Sequence, residues 1–272
     1  ALPQHLPEAE LGQAGAVMRR GVVVADAAVP GRLQRGLGGG LDAQGELRWQ
    51  PSLQLAARGS LKGIRPERID PRFEGLINGR FSADTDFIDG RPQVSFEAQL
   101  TDSRLRGYPL ALEARGRYAD EVLMLTRGDL ASGKTRLSVQ GRLLPDLDAK
   151  AQLNSPDLAP LWPGLAGNVR LNLTARGPLA GPRIAGELDA QRFAYDELSL
   201  AALQLKVEAD LRGASDWRGF HTKAGAQLRQ LRYQQHRIST ATLNADLDLR
   251  GRTVMKLRLG EAEVAGTEVP LA

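Results

Sequence analysis

Leu203-Gln-Leu-Lys-Val-Glu-Ala-Asp-Leu-Arg-Gly213 decides the fold. Leu203, Leu205, Val207, Ala209 and Leu211 share one parity, and Gln204, Lys206, Glu208, Asp210 and Arg212 share the other. Successive side chains of a strand point to opposite faces, so this stretch has one apolar face and one charged face. The pattern returns at residues 94–100 (VSFEAQL), 110–116 (LALEARG), 169–177 (VRLNLTARG), 245–251 (ADLDLRG) and 255–260 (MKLRLG). A chain of one-sided strands has to hide its apolar face against something. What covers that face is the functional question.

Residue choice by itself favours helix, because Leu, Ala, Arg, Glu and Gln are good helix formers. The period overrides it. Apolar residues recur every second position, and a Gly or Pro interrupts nearly every run within about ten residues. The expectation is an all-β chain with strands of about 5–10 residues, and with helical turns near residues 7–11 and 156–162. Arg-Gly is read as a strand-closing pair at Arg58-Gly59, Arg115-Gly116, Arg176-Gly177 and Arg250-Gly251. Their spacing is too variable for a propeller or a fixed-period solenoid, and a meander of hairpins fits better. No composition break divides the 272 residues, so residues 1–272 read as one continuous unit, with 1–50 fitting the pattern least. The chain reads as a piece of a longer polypeptide.

Composition excludes several classes. Hydrophobic residues make up 42% and charged residues 25%, which suits a folded protein. There is no cysteine, so thiol catalysis, disulfides and cysteine metal sites are excluded. His5, His221 and His236 show no metal-ligand spacing. The net charge of +4 is small for this length. Thirty of the 36 basic residues are arginine, scattered over strand ends and outward parities as on a solvated face. A nucleic-acid groove would interleave a basic stripe with aromatics, and only 5% of the chain is aromatic. No stretch approaches the roughly 20 apolar residues that cross a bilayer as a helix; residues 21–29 are short and carry Asp26.

Gly128-Asp-Leu-Ala-Ser-Gly133-Lys134-Thr135 matches the phosphate-loop pattern G-x-x-x-x-G-K-[ST]. That loop works by leading from a strand into a helix whose first amides hold phosphate. Here an alternating stretch, Arg136-Leu-Ser-Val-Gln-Gly141, follows, so Gly128, Gly133, Lys134 and Thr135 read as a hairpin turn and a chance match. Gly38-Gly-Gly40 lacks the βαβ context of a dinucleotide site. No Gly-x-Ser-x-Gly elbow is present, and Asp246 and Asp248 sit on an outward parity as solubilising residues. Asn172-Leu-Thr174 is a formal glycosylation sequon inside a strand. The expectation is a protein without catalytic residues, metal or cofactor.

A second sheet, a small barrel or an elongated trough can each cover the apolar face. Sandwich cores favour bulky Val, Ile, Phe and Trp, whereas this inward parity is Leu with much Ala, a smooth lining that favours a trough. The inward positions read from alternation are Leu53, Leu55, Phe96, Leu100, Leu110, Leu112, Leu123, Leu125, Leu137 and Val139 in the first half. In the second half they are Leu171, Leu173, Leu203, Leu205, Val207, Leu247, Leu249, Leu257 and Leu259.

Three phrases resemble the TamB family of bacterial envelope proteins, within the AsmA-like group. They are Ile69-Asp-Pro-Arg-Phe-Glu-Gly-Leu-Ile-Asn-Gly-Arg-Phe81; Leu105-Arg-Gly-Tyr-Pro-Leu-Ala-Leu-Glu-Ala-Arg-Gly-Arg-Tyr118 with Ser132–Gly141; and Ser155-Pro-Asp-Leu-Ala-Pro-Leu-Trp-Pro-Gly-Leu-Ala-Gly167 with Ala175–Leu188. They span roughly residues 60–260. The resemblance implies a middle segment of an elongated, taco-like β-groove with a hydrophobic interior. It implies a role in Gram-negative lipid transport and outer-membrane biogenesis, within a translocation and assembly module, in a periplasmic protein whose full-length chain is anchored in the inner membrane. Phospholipid and an Omp85-type outer-membrane partner are implied, the latter contacted outside this segment. The alternative is a scaffold for outer-membrane β-barrel assembly, with substrate strands adding to a sheet edge. A plain spacer filled by its own side chains is a third.

Overall fold

A computed structural model describes residues 14–19, 22–28, 38–49, 52–211, 221–248, 254–259, 262–264 and 267–268. The first strands are β1 (Ala14–Arg19), β2 (Val22–Ala28), β3 (Gly40–Arg48), β4 (Gln54–Ile64), β5 (Gly75–Ile88) and β6 (Arg91–Leu105). They are followed by β7 (Tyr108–Ala119), β8 (Val122–Ser132), β9 (Thr135–Leu144), β10 (Asp146–Ser155), β11 (Ala166–Pro178) and β12 (Arg183–Tyr195). The last are β13 (Leu198–Asp210), β14 (His221–Tyr233), β15 (His236–Asp248), β16 (Val254–Leu259), β17 (Ala262–Val264) and β18 (Thr267–Glu268). Each strand from β1 to β16 pairs antiparallel with the next, β15 also pairs with β17, and β17 with β18. Among the described residues the chain is therefore a meander, all-β as the period of two requires, apart from a single 3-10 turn at Pro66–Arg68.

Tight turns make the meander possible. Asp89-Gly90, Arg106-Gly107 and Asp120-Glu121 join β5–β6, β6–β7 and β7–β8, and in each turn both residues have positive φ (50° and 73°, 52° and 80°, 50° and 65°). This left-handed pair is the hairpin geometry that matches the strand twist.

The strands outrun the expected 5–10 residues: β5 has 14 and β6 has 15. Arg58-Gly59 and Arg115-Gly116 stand inside β4 and β7 instead of closing them, and Arg176-Gly177 lies one residue before the end of β11. Glycine serves a packing purpose there. A Cβ at Gly59 would overlap the ring of its cross-strand partner Phe81, and one at Gly116 would overlap that of Phe96. Residues 156–165 form turns and no helix, with the Leu161 amide donating to the Leu158 carbonyl (3.0 Å) and that of Leu165 to Trp162 (3.2 Å). The helical turn expected at 7–11 and the pair Arg250-Gly251 lie outside the described residues.

A line of bulges crosses the sheet near one rim. Gly63, Asp102, Arg192 and Gln230 have positive φ inside β4, β6, β12 and β14. The register shifts at the first two, between Leu61 and Ile64 and between Leu100 and Ser103. Two consecutive exposed residues result, as at Thr101-Asp102, Gln191-Arg192 and Arg229-Gln230, after which the apolar parity resumes. Each register shift adds one residue to one strand and bends it.

Candidate functional site

The registers align the apolar parity into rows that run perpendicular to the strands. One row reads Leu41, Leu61, Gly79, Leu100, Leu112, Leu130 and Leu137 across β3 to β9. It continues through Leu153, Leu171, Leu188, Leu205, Ala226 and Leu243 to β15, and Leu257 of β16 stands opposite Leu243. At about 4.8 Å per strand this leucine row runs some 55–60 Å along the sheet. Every one of its leucines from Leu41 to Leu243 is half-buried. Among the described residues only five apolar side chains are buried outright: Leu158, Pro160, Val169, Ala190 and Leu200. A sandwich or small barrel would bury the row completely, so the row is the floor of an open, curled sheet.

The row beside it is built of small residues with bulky ones interleaved: Gly59, Phe81, Ala98, Ala114, Gly128, Val139, Ala151, Leu173, Gly186 and Val207. Leu173 sits against Gly186 and Leu100 against Gly79, as the two Phe rings sit against theirs. Large opposite glycine keeps the floor smooth.

The opposite face is charged. Arg115 pairs with Glu97 (3.2 Å) and Glu113 (3.3 Å), and Arg127 with Glu113 (3.2 Å) and Asp129 (2.6 Å). Lys206 meets Glu187 at 3.0 Å and Arg176 meets Asp148 at 3.3 Å, each straight across a strand pair. The hydrogen bond that Arg127 donates to Asp129, and then the charge of Glu113, raise the pKa of Arg127, and Glu187 does the same for Lys206. Exposed pairs of this kind contribute little stability, but opposite charges directly across a strand pair favour the register that keeps the leucines in line.

One rim of the floor is overhung. The loop 156–165 folds onto the apolar face, burying Leu158 against Val169 and Ala190, with Leu153, Leu188, Phe193 and Leu203 around them. Thr135 and Ser155, both buried, share a hydrogen bond of 2.7 Å, and both hydroxyl oxygens lie within hydrogen-bond distance of the Asp157 carbonyl (3.1 and 2.7 Å), which accepts from the hydroxyl that does not donate to the other. The Arg106 guanidinium donates to the Ala159 carbonyl at 2.6 Å. Beyond it Trp162 reaches the loop after β4, where Phe73 meets it edge-on at 5.5 Å and the Arg72 guanidinium lies 5.0 Å from its ring. Two loops six strands apart thus touch, which a flat sheet would forbid.

The structure places the positions read from alternation as follows. Leu55, Phe96, Leu100, Leu110, Leu112, Leu123, Leu125, Leu137, Val139, Leu171, Leu173, Leu203, Leu205, Val207 and Leu247 fall on the one apolar face by register. Leu53 lies just ahead of β4, its carbonyl accepting from the Phe87 amide (3.2 Å). For Leu257 and Leu259 only the backbone pairing, with Leu243 and Ala241, is described, and Leu249 lies outside the described residues. Alternation missed Leu41, Leu61, Leu130, Leu153, Leu188 and Leu243. Leu61, Leu153, Leu188 and Leu243 alternate with polar neighbours, Leu41 stands between Gly40 and Asp42, and all five were legible. Leu130 was not, because the register shift between Leu125 and Gly128 leaves Thr126 and Arg127 both exposed and reverses the faces beyond.

Gly133-Lys134 is the two-residue turn between β8 and β9, so the phosphate-loop lookalike leads from strand to strand, and Thr135 is buried in the hydroxyl network described above. Among the described residues no group of three or more His, Asp or Glu could hold a metal ion, and no helix is long and apolar enough to cross a membrane.

Neither the curated proteins nor the solved structures contain a match to this chain. The family model described as "TamB, N-terminal domain" matches residues 32–255, the stretch that carries the leucine row from β3 to β15. The chain belongs to the TamB family of bacterial envelope proteins.

Proposed function

We propose that the apolar face is a groove that carries phospholipid acyl chains, and that the chain is a non-enzymatic segment of a periplasmic bridge between inner and outer membranes. The continuous, half-buried apolar row, leucine at every strand from β3 to β15 except Gly79 and Ala226, carries this reading. Each methylene left in water costs about 0.8 kcal/mol, and a continuous Leu and Ala floor removes that cost without binding any part of the chain specifically. A lipid can therefore move along it. Headgroups stay at the wet rim, no bond is broken and no cofactor is required. In this reading the Omp85-type outer-membrane partner and the inner-membrane anchor are engaged outside the described strands.

Site-specific photocrosslinking tests the reading. A photoreactive side chain in place of Leu171 or Leu205 is expected to capture phospholipid, and one in place of the outward Asn172 or Lys206 is not. Equal labelling from both faces would sink the groove. Capture of unfolded outer-membrane proteins in place of lipid would favour the barrel-assembly scaffold.

A further inference from the structure

The two rims of the sheet, where alternate strand ends lie, are not alike. Between β4 and β15, thirteen described Lys and Arg against eight Asp and Glu lie beyond the leucine row towards the Arg106-Gly107 turn, a net +5. On the other side the described residues number twelve against fifteen, a net −3. The bulge line belongs to the basic rim and creates positions for it: Arg192 and Arg229 each occupy one of the paired exposed sites it opens, and Arg104 follows the bulge at Asp102. Four of the six described Tyr and Trp residues are on this rim too. Tyr195 and Tyr233 end β12 and β14 at 43% and 49% exposure, and Tyr108 and Trp162 stand half-buried elsewhere along the same rim. Arginine with Tyr and Trp combines charge-assisted donors for phosphate with rings that sit between apolar and wet surroundings.

We propose that this rim holds the phosphate of a diacyl phospholipid whose tails lie on the leucine row, so that lipid is carried with its headgroup on the Arg106-Gly107 side. The assignment rests on the acyl-groove reading and adds the headgroup class and its side. Guanidinium groups on successive hairpins would hand the phosphate from one strand pair to the next, while the acidic rim repels it.

The test compares binding of fluorescent-acyl phosphatidylglycerol and of diacylglycerol with the same acyl chains to the purified chain. The wild type is expected to prefer phosphatidylglycerol by about tenfold or more. Arg104→Gln, Arg192→Gln and Arg229→Gln together are expected to erase that preference and leave diacylglycerol binding unchanged. The matched set Arg58→Gln, Lys150→Gln and Lys223→Gln on the other side is expected to leave the preference intact. Preference that survives the first set, or is lost in the second, overturns the rim assignment. So does displacement of phosphatidylglycerol by equimolar inorganic phosphate, which would mark a site for the free anion. Diacylglycerol that binds without any preference for the phospholipid overturns the rim alone, whereas diacylglycerol that does not bind overturns the groove and the rim with it.

Discussion

Phe96 and Gly116 stand directly opposite each other on β6 and β7, and the ring fills the space where a Cβ of residue 116 would be. Phe81 and Gly59 repeat the arrangement on β5 and β4. A large ring is thereby laid along the floor and does not stand up into the groove. Gly116→Val would drive a branched side chain into that ring and is expected to destabilise the chain by about 1–3 kcal/mol. The midpoint of denaturant unfolding measures it, and an unchanged midpoint would show that the ring is free to move aside.

The leucine row should tolerate shape changes and reject charge. Leu205→Asp places a carboxylate at the centre of the floor, and is expected to weaken binding of an environment-sensitive fatty-acid probe by about tenfold or more. Gln204→Asp, one residue away on the charged face, is expected to leave the titration unchanged. Circular dichroism of both variants should retain the β signature, since neighbouring strands keep their ladders.

At the overhung rim, Trp162 is held by Phe73 and Arg72. Phe73→Ala removes an aromatic pair, whose interaction is generally about 0.5–1.5 kcal/mol beyond buried area. Faster proteolytic cleavage within 65–74 and 156–165 is expected, with protection of the central strands by hydrogen exchange unchanged. Uniform loss of protection would mean instead that the loops nucleate the whole sheet.

The same rim is expected to respond to acid through Asp70. Asp70 accepts hydrogen bonds from the Arg72 side chain and amide, which lowers its carboxyl pKa below the ordinary 3.8. A depressed carboxyl pKa stabilises the folded form above the unfolded value, and that contribution is lost as pH falls through the lower, folded value. Trp162 emission should therefore stay flat from pH 8 to pH 5 and change only below the usual carboxylate range. In Asp70→Asn the low-pH change should disappear.

Thr135 tests the discarded phosphate-loop match. Its hydroxyl is buried against Ser155 and the Asp157 carbonyl, so Thr135→Val leaves polar partners unpaired and is expected to cost about 1–3 kcal/mol. Adding nucleotide with Mg²⁺ should shift neither the wild-type nor the variant melting temperature. A nucleotide-dependent rise in the wild type alone would restore the phosphate-loop reading.

Much of this is legible in the sequence. Alternation along 203–211 already separates a Leu face from a charged face, and the structure keeps that parity from Leu203 to Ala209. Strand ends were harder. Glycine punctuates turns in most chains, but Gly59 and Gly116 are glycine because a ring on the next strand needs the room, which no local pattern reveals. Bulges hid more: Leu130 joins the row only because an extra residue at Thr126-Arg127 turns β8 over. The alignment of leucines from separate strands depends on register, and the overhanging loop depends on contacts between Trp162 and Phe73, distant in sequence. Neither leaves a periodic trace.

Native mass spectrometry of the purified chain tests the central claim most directly. The account predicts co-purifying phospholipid on the wild type, lost from a folded Leu205→Asp variant and kept by Gln204→Asp. A folded wild type without lipid, or lipid retained equally by Leu205→Asp, would contradict it and leave the leucine row as a self-covered structural floor.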